Sequence, residues 1–157
     1  MSTQARLEPM AEATLDAVAA LEQCTYAHPW QRQHFADCLA NAYQARLLMA
    51  GETLIGYFVA MQGFEEAHLL NLVVARQYQG QGWARVMLDA LVLWARAQAL
   101  QWVWLEARAG NARAIAVYQA YGFRSVGVRK QYYPASDGLR EDALVMSLHV
   151  HPVRISA

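Results

Sequence analysis

The sequence predicts an α/β sandwich, with a mixed and mostly antiparallel sheet of about six to seven strands flanked by about four helices. Three observations carry that reading. Extended runs at Ala45 to Ala50, Thr53 to Gln62 and Ala67 to Ala75 follow one another, with Gly51 and Gly63 at the turns. A strand–helix–strand–helix alternation then runs to Gly122. Between its two helices, Gln101 to Arg108 alternates with period two, as a strand does.

In chain order, a short strand at Ala5 to Leu7 ends at Pro9, and Leu15, Val18 and Leu21 recur at helical spacing within a helix over Ala11 to Cys24. His28-Pro29-Trp30 ends it, since proline lacks a donor and restricts the residue before it. Phe35, Cys38 and Leu39 mark a second short helix. The run Leu69 to Val74 is apolar except for Asn71, which predicts a strand buried on both faces. A loop from Gln79 to Ala84 leads into a long helix whose stripe is Leu88, Leu91, Val92 and Ala95. In the next strand Trp102, Trp104, Glu106 and Arg108 share one face, and Val103, Leu105 and Ala107 the other. Asn111 opens a helix that Gly122 closes. Two strands, Phe123 to Tyr133 and Asp142 to Val150, flank a loop containing Asp137-Gly138. Residues 1–150 read as one domain and 151–157 as a short tail.

Composition narrows the function. Lys plus Arg and Asp plus Glu both number 13, so no basic field draws the chain to nucleic acid or anionic lipid. No secretion signal or membrane span is present, so a cytoplasmic protein is expected; a monomer is expected as well. Cys24 and Cys38 read as buried, reduced thiols. The five histidines show no zinc spacing, and His149-x-His151 reads as a strand-end pair, so no metal is expected.

Gln79-Gly80-Gln81-Gly82-Trp83-Ala84-Arg85 places small residues where a strand passes into a helix. Unpaired N–H groups and the helix dipole make such a place hospitable to a diphosphate. A tight connection explains the glycines equally well, and spacing alone leaves both readings open. A Walker loop would need a Gly-Lys-Ser/Thr ending, and a dinucleotide fingerprint a small residue at Arg85; neither is there.

The pattern Gln79-x-x-Gly82-x-Ala84 resembles the coenzyme A pyrophosphate loop of the GNAT acetyltransferases. The likeness runs over nearly the whole chain. Trp104 to Tyr118, Gly122-Phe123, Tyr132-Tyr133-Pro134, Asp137-Gly138 and Glu141-Asp142-Ala143 are similar to the RimI-type group, which acetylates the N-terminal alanine of a ribosomal protein. The resemblance implies acetyl-CoA as cosubstrate and an N-terminal ribosomal-protein peptide as acceptor. It also implies that Leu72, Val73 and Val74 contact the coenzyme through the strand backbone. Gly80, Gln81, Gly82, Trp83, Ala84 and Arg85 would cradle its pyrophosphate and Asn111 would bind it, with Glu106 as general base and Tyr118 as general acid. Leu139 departs from the family as an extra residue in the peptide-facing loop.

The chemistry suits these residue types. An N-terminal amine has a pKa near 8 and needs a base, the thioester carbonyl needs a donor, and the departing thiolate needs a proton. Glu106 shares its strand face with two tryptophans, a setting expected to raise its proton affinity; the competing reading pairs it with Arg108. Asn111 and Tyr118 lie seven residues apart, about two helical turns, and so share a face. Each also has a plain role, as cap and core aromatic. The Val74 N–H would polarise the carbonyl if a bulge near Asn71 or Leu72 frees it. His28-Pro29-Trp30 and Tyr132-Tyr133-Pro134 suit the walls of a peptide groove or simple loop packing. Rival functions are acetylation of another amine (a metabolite, a drug or a different protein terminus) and a non-catalytic acyl-CoA-binding module.

Overall fold

The computed structural model describes residues 4–150. Its strands are β1 (Ala5–Pro9), β2 (Gln44–Ala50), β3 (Thr53–Gln62), β4 (Glu66–Val74), β5 (Trp102–Arg108), β6 (Arg124–Pro134) and β7 (Arg140–His149). The α-helices are α1 (Leu15–Thr25), α2 (Arg32–Ala40), α3 (Trp83–Ala97) and α4 (Ala112–Tyr121). The seven strands are ordered β1-β2-β3-β4-β5-β7-β6. β4 and β5 pair in parallel, and β1–β2, β2–β3, β5–β7 and β6–β7 are antiparallel. The mixed, mostly antiparallel sheet matches the reading from sequence, with element ends moved by at most four residues.

The chain divides into two compact units. The first comprises Met1–Met61 and Leu70–Met87. Its core joins Leu15 and Val18 of α1, Phe35 and Cys38 of α2, Leu47 of β2, Tyr57 and Val59 of β3, and Val73 of β4. The predicted helix over 11–24 begins late, at Leu15. The Thr14 hydroxyl donates to Ala11 O at 2.7 Å and accepts the Ala11 N–H at 3.0 Å, which favours a 3-10 turn over Glu12–Thr14. Cys24, expected to be buried, is exposed. It lies nine residues after Leu15, two and a half turns, and so faces away from the core. Gly56 lets β3 approach β4 closely: a Cβ there would lie 2.2 Å from Val73 O.

The second unit comprises Gln62–Leu69 and Leu88–Ala157. Leu88, Leu91, Val92 and Ala95 of α3 are buried as the stripe predicted, together with Val103, Leu105 and Ala107 of β5 and Ala143 and Met146 of β7. Strand β4 corrects one expectation. Ala67, Leu69, Asn71 and Val73 are buried while His68, Leu70 and Leu72 are only half-buried, so one face of the strand is sealed rather than two. β6 is exposed along almost its whole length. Its register against β7 shifts between Arg129 and Tyr133, where Gln131 has φ 49°.

Candidate active site

The loop ahead of α3 belongs to the first unit. Gly80 and Gly82 have φ of 76° and 90°, a region that disfavours side chains. α3 then runs fifteen residues, and its first backbone bond, Val86 N to Gly82 O at 3.2 Å, leaves the preceding amides for an outside partner. Gln79 ties the loop to β4 by donating Nε2–H to Val74 O at 3.0 Å. Arg85 is exposed. Trp83 Nε1 is a buried donor with no partner among the described residues. Bare amides, a guanidinium and positive-φ glycines fit a diphosphate.

β4 carries Leu72, Val73 and Val74 beside a polar cluster that the sequence did not announce. Glu22 of α1 is 1% exposed, and its carboxylate accepts Tyr57 Oη–H at 2.6 Å, Asn71 Nδ2–H at 2.9 Å and Trp30 N–H at 3.0 Å. Tyr26 Oη donates to Leu72 O at 3.2 Å. Burial and the facing carboxylate push the Tyr57 hydroxyl far above the ordinary phenol range. Trp30 stacks on His34 at 3.8 Å and packs on the core, so the plain packing reading holds for its ring, while His28 is exposed. The one signal for this cluster was an acid on the apolar stripe of α1, seven residues after Leu15 and four after Val18.

The acid–base candidates lie in the second unit. The alternation of β5 came out as expected: Val103, Leu105 and Ala107 are buried, and Trp104, Glu106 and Arg108 face the other way. Glu106 does not pair with Arg108. Its Oε2 meets His68 Nε2 at 2.5 Å, and its Oε1 lies 3.5 Å from Arg129 Nε. The expected rise in proton affinity is also overturned. The hydrogen bond from His68 holds the Glu106 carboxyl below its ordinary range; burial opposes this, and the charges of His68 and Arg129 add to it. The His68 hydrogen bond, with the Arg129 guanidinium nearby, outweighs the tryptophan-lined setting.

Arg108 instead ties down the Tyr132-Tyr133-Pro134 segment. Its Nη1 donates to Pro134 O at 2.7 Å and to Glu141 Oε1 at 3.2 Å, and its guanidinium lies 4.6 Å from the Tyr133 ring centre. Glu141 Oε2 accepts Gly110 N–H at 2.7 Å, and Arg140 donates to Gln131 O and Tyr132 O at 2.8 and 2.7 Å. Asp142 Oδ1 accepts Gln131 N–H at 2.9 Å. The Tyr132–Tyr133 bulge is thus fixed by side chains on β5 and β7. Tyr133 Oη donates to Glu106 O at 3.0 Å, and burial raises its hydroxyl to about 12. Leu139, the extra residue, is 67% exposed at the end of the 3-10 turn Ser136–Gly138.

Asn111 caps α4: its Oδ1 accepts Ala114 N–H at 3.2 Å. Tyr118 is half-buried on α4, with its ring edge-on to Phe123 at 5.7 Å. Burial, with Tyr133 adding, pushes its hydroxyl well above the ordinary phenol range. His149 packs edge-on to Trp102 at 4.7 Å, and His151 lies outside the described residues. Among the described residues no helix is long and apolar enough to cross a membrane. His68 and Arg129 were missed from sequence, because only the strand register brings them to Glu106.

Residues 15–123 match the Acetyltransferase (GNAT) family. The [ribosomal protein bS18]-alanine N-acetyltransferase of Escherichia coli K12 is 35% identical over 136 residues, covering 87% of this chain and 91% of that one. Its counterpart in Haemophilus ducreyi is 30% identical over 144 residues, 92% and 99% of the two chains. The crystal structure of the ribosomal-protein-S18-alanine N-acetyltransferase from Escherichia coli superposes with a TM-score of 0.87 at 31% identity, covering 98% and 99% of the two chains. With a fold and a sequence that agree over almost their whole length, the chain belongs to the GNAT acetyltransferase family and is an N-acetyltransferase.

Proposed function

We propose that the chain transfers the acetyl group of acetyl-CoA directly to the N-terminal alanine of ribosomal protein bS18, as a cytoplasmic monomer. Identity of 30–35% to enzymes named for that reaction, over more than nine-tenths of their length, supports the acceptor. The observation that carries the chemistry is Glu106: a carboxylate 10% exposed, yet held ionised by His68 and Arg129.

In this reading Gly80 to Arg85 bind the pyrophosphate, the backbone of Leu72, Val73 and Val74 aligns the acyl arm, and Asn111 adds a contact to the coenzyme. The terminal ammonium loses its proton to Glu106, directly or through one water, and the freed amine attacks the thioester carbon. The C–S bond then breaks. Tyr118, whose raised pKa keeps its proton in place through the working range, gives that proton to the departing sulfur and regains one from the new amide nitrogen, which sheds its second hydrogen as the intermediate collapses. No nucleophile on the enzyme intervenes. The Tyr132–Tyr133 bulge, pinned by Arg108 and Arg140, forms a stiff wall for the first residues of the acceptor peptide.

The test is coenzyme release with three acceptors: the bS18 N-terminal peptide, the same peptide with its α-amine blocked, and spermidine. Turnover on the free peptide alone is expected. Preference for spermidine would support acetylation of another amine, and coenzyme binding with no turnover on any amine would support a binding module.

A further inference from the structure

β4 pairs with β5 over Glu66 to Leu69. Within the first unit, the residues that follow are fastened one by one. Asn71 Nδ2–H donates to the Glu22 carboxyl at 2.9 Å, and Leu72 O accepts Tyr26 Oη–H at 3.2 Å. Val74 O accepts Gln79 Nε2–H at 3.0 Å, and Ala75 N–H donates to Ile55 O at 2.7 Å. The first two bonds come from the last turn of α1 and the residue that ends it. Glu22 O accepts Tyr26 N–H at 3.1 Å, which fixes the spacing between the two side chains. The other oxygen of the Glu22 carboxyl takes Trp30 N–H at 3.0 Å. Stability alone does not call for this arrangement. A buried carboxyl has to be stripped of water, and apolar side chains of the same volume often fill such a site at no net loss. Three donors on one acid instead permit a single placement of the chains that carry them.

We propose that Glu22 and Tyr26 form a clasp on β4 that sets Asn71 and Leu72 in place, so that the backbone of Leu72 to Val74 meets the acyl arm of acetyl-CoA in one position. Both are positioning residues, which act through β4 rather than on the reacting atoms. The proposal rests on the reading that this stretch of β4 aligns the arm. Gly80 to Arg85, which the same reading gives to the pyrophosphate, follow a loop with fastenings of its own: Gln79 on Val74 O, and Gln81 Nε2–H on Gln77 O at 3.3 Å. The clasp therefore acts on the arm and leaves the diphosphate grip alone. Tyr57, the third donor to Glu22, comes from β3 and serves as the control, because its bond to the carboxyl is separate from those of Asn71 and Trp30.

The experiment is calorimetric binding of acetyl-CoA and of 3′-phospho-ADP, which carries the pyrophosphate without the arm, to wild type, Glu22→Met, Tyr26→Phe and Tyr57→Phe. Methionine fills the space of glutamate and is only a weak acceptor, while phenylalanine keeps the Tyr26 ring and removes its bond to Leu72. The margin by which acetyl-CoA binds tighter than 3′-phospho-ADP is the contribution of the arm. Both clasp variants should bind acetyl-CoA about 10-fold more weakly, the scale of one lost hydrogen bond, and 3′-phospho-ADP within about twofold of wild type. Tyr57→Phe removes no bond to Asn71 or Leu72, so it should bind both ligands as wild type does while lowering Tm. Tyr26→Phe carries the test if Glu22→Met fails to fold. A margin kept in full by either folded clasp variant would overturn the clasp, as would equal weakening of both ligands or the same loss in Tyr57→Phe. The underlying reading fails differently: a wild type that binds the two ligands equally would show that Leu72 to Val74 do not hold the arm, and the clasp falls with it.

Discussion

Replacing Tyr57 with Phe isolates one bond in the buried cluster around Glu22. Tyr57 is fully buried, so the substitution removes a hydroxyl and little volume. That hydroxyl donates at 2.6 Å to a carboxylate with 1% exposure. A hydrogen bond to a charged group contributes about 1.5–3 kcal/mol, and the loss leaves Oε1 with Asn71 as its remaining donor. The expected cost is about 2 kcal/mol. At about 2–4 °C per kcal/mol for a chain of this size, Tm should fall by roughly 4–8 °C. Urea denaturation with an unchanged m-value measures the loss directly. In a Glu22→Gln background the acceptor is neutral, so the same substitution should cost nearer 1 kcal/mol, and the difference is the coupling between the two residues. A cost below about 0.5 kcal/mol in both backgrounds would refute the claim that a charged Glu22 organises this corner.

Three further outcomes follow from the geometry. Gly56→Ala should destabilise by at least about 1–3 kcal/mol, since its Cβ would fall 2.2 Å from Val73 O; chemical denaturation measures it, and KM for acetyl-CoA should rise with it as β4 shifts. The depressed Glu106 carboxyl stabilises the fold above the ordinary carboxylate range and withdraws that support as pH falls through its lowered value. An acid-unfolding curve should therefore lose its lowest-pH step in Glu106→Gln. Tyr118→Phe should slow transfer while leaving Tm within a few degrees; normal turnover with a large fall in Tm would assign Tyr118 to packing.

Local patterns made the elements legible. Alternation in β5 sorted Val103 from Glu106 correctly, Asn111 does cap α4, and Gly122 ends it with φ 124°. What depended on register did not come through. Glu106 and His68 are 38 residues apart, and only the pairing of β4 with β5 makes them neighbours. Without it the carboxylate's surroundings read as tryptophan and Arg108, and its proton affinity was expected to move the wrong way. Glu22 was hidden for a related reason: its donors come from a loop, β3 and β4, up to 49 residues away. Cys24 fell to composition, because burial preference outweighed a helical phase that already placed it away from Leu15.

The sharpest measurement is single-turnover acetylation of the bS18 N-terminal peptide by Glu106→Gln, followed by intact mass, beside calorimetric binding of acetyl-CoA to the same protein. Proton abstraction by Glu106 predicts transfer slowed by about 100-fold or more with coenzyme affinity unchanged. Transfer at the wild-type rate, or coenzyme affinity lost in step with it, would contradict that role.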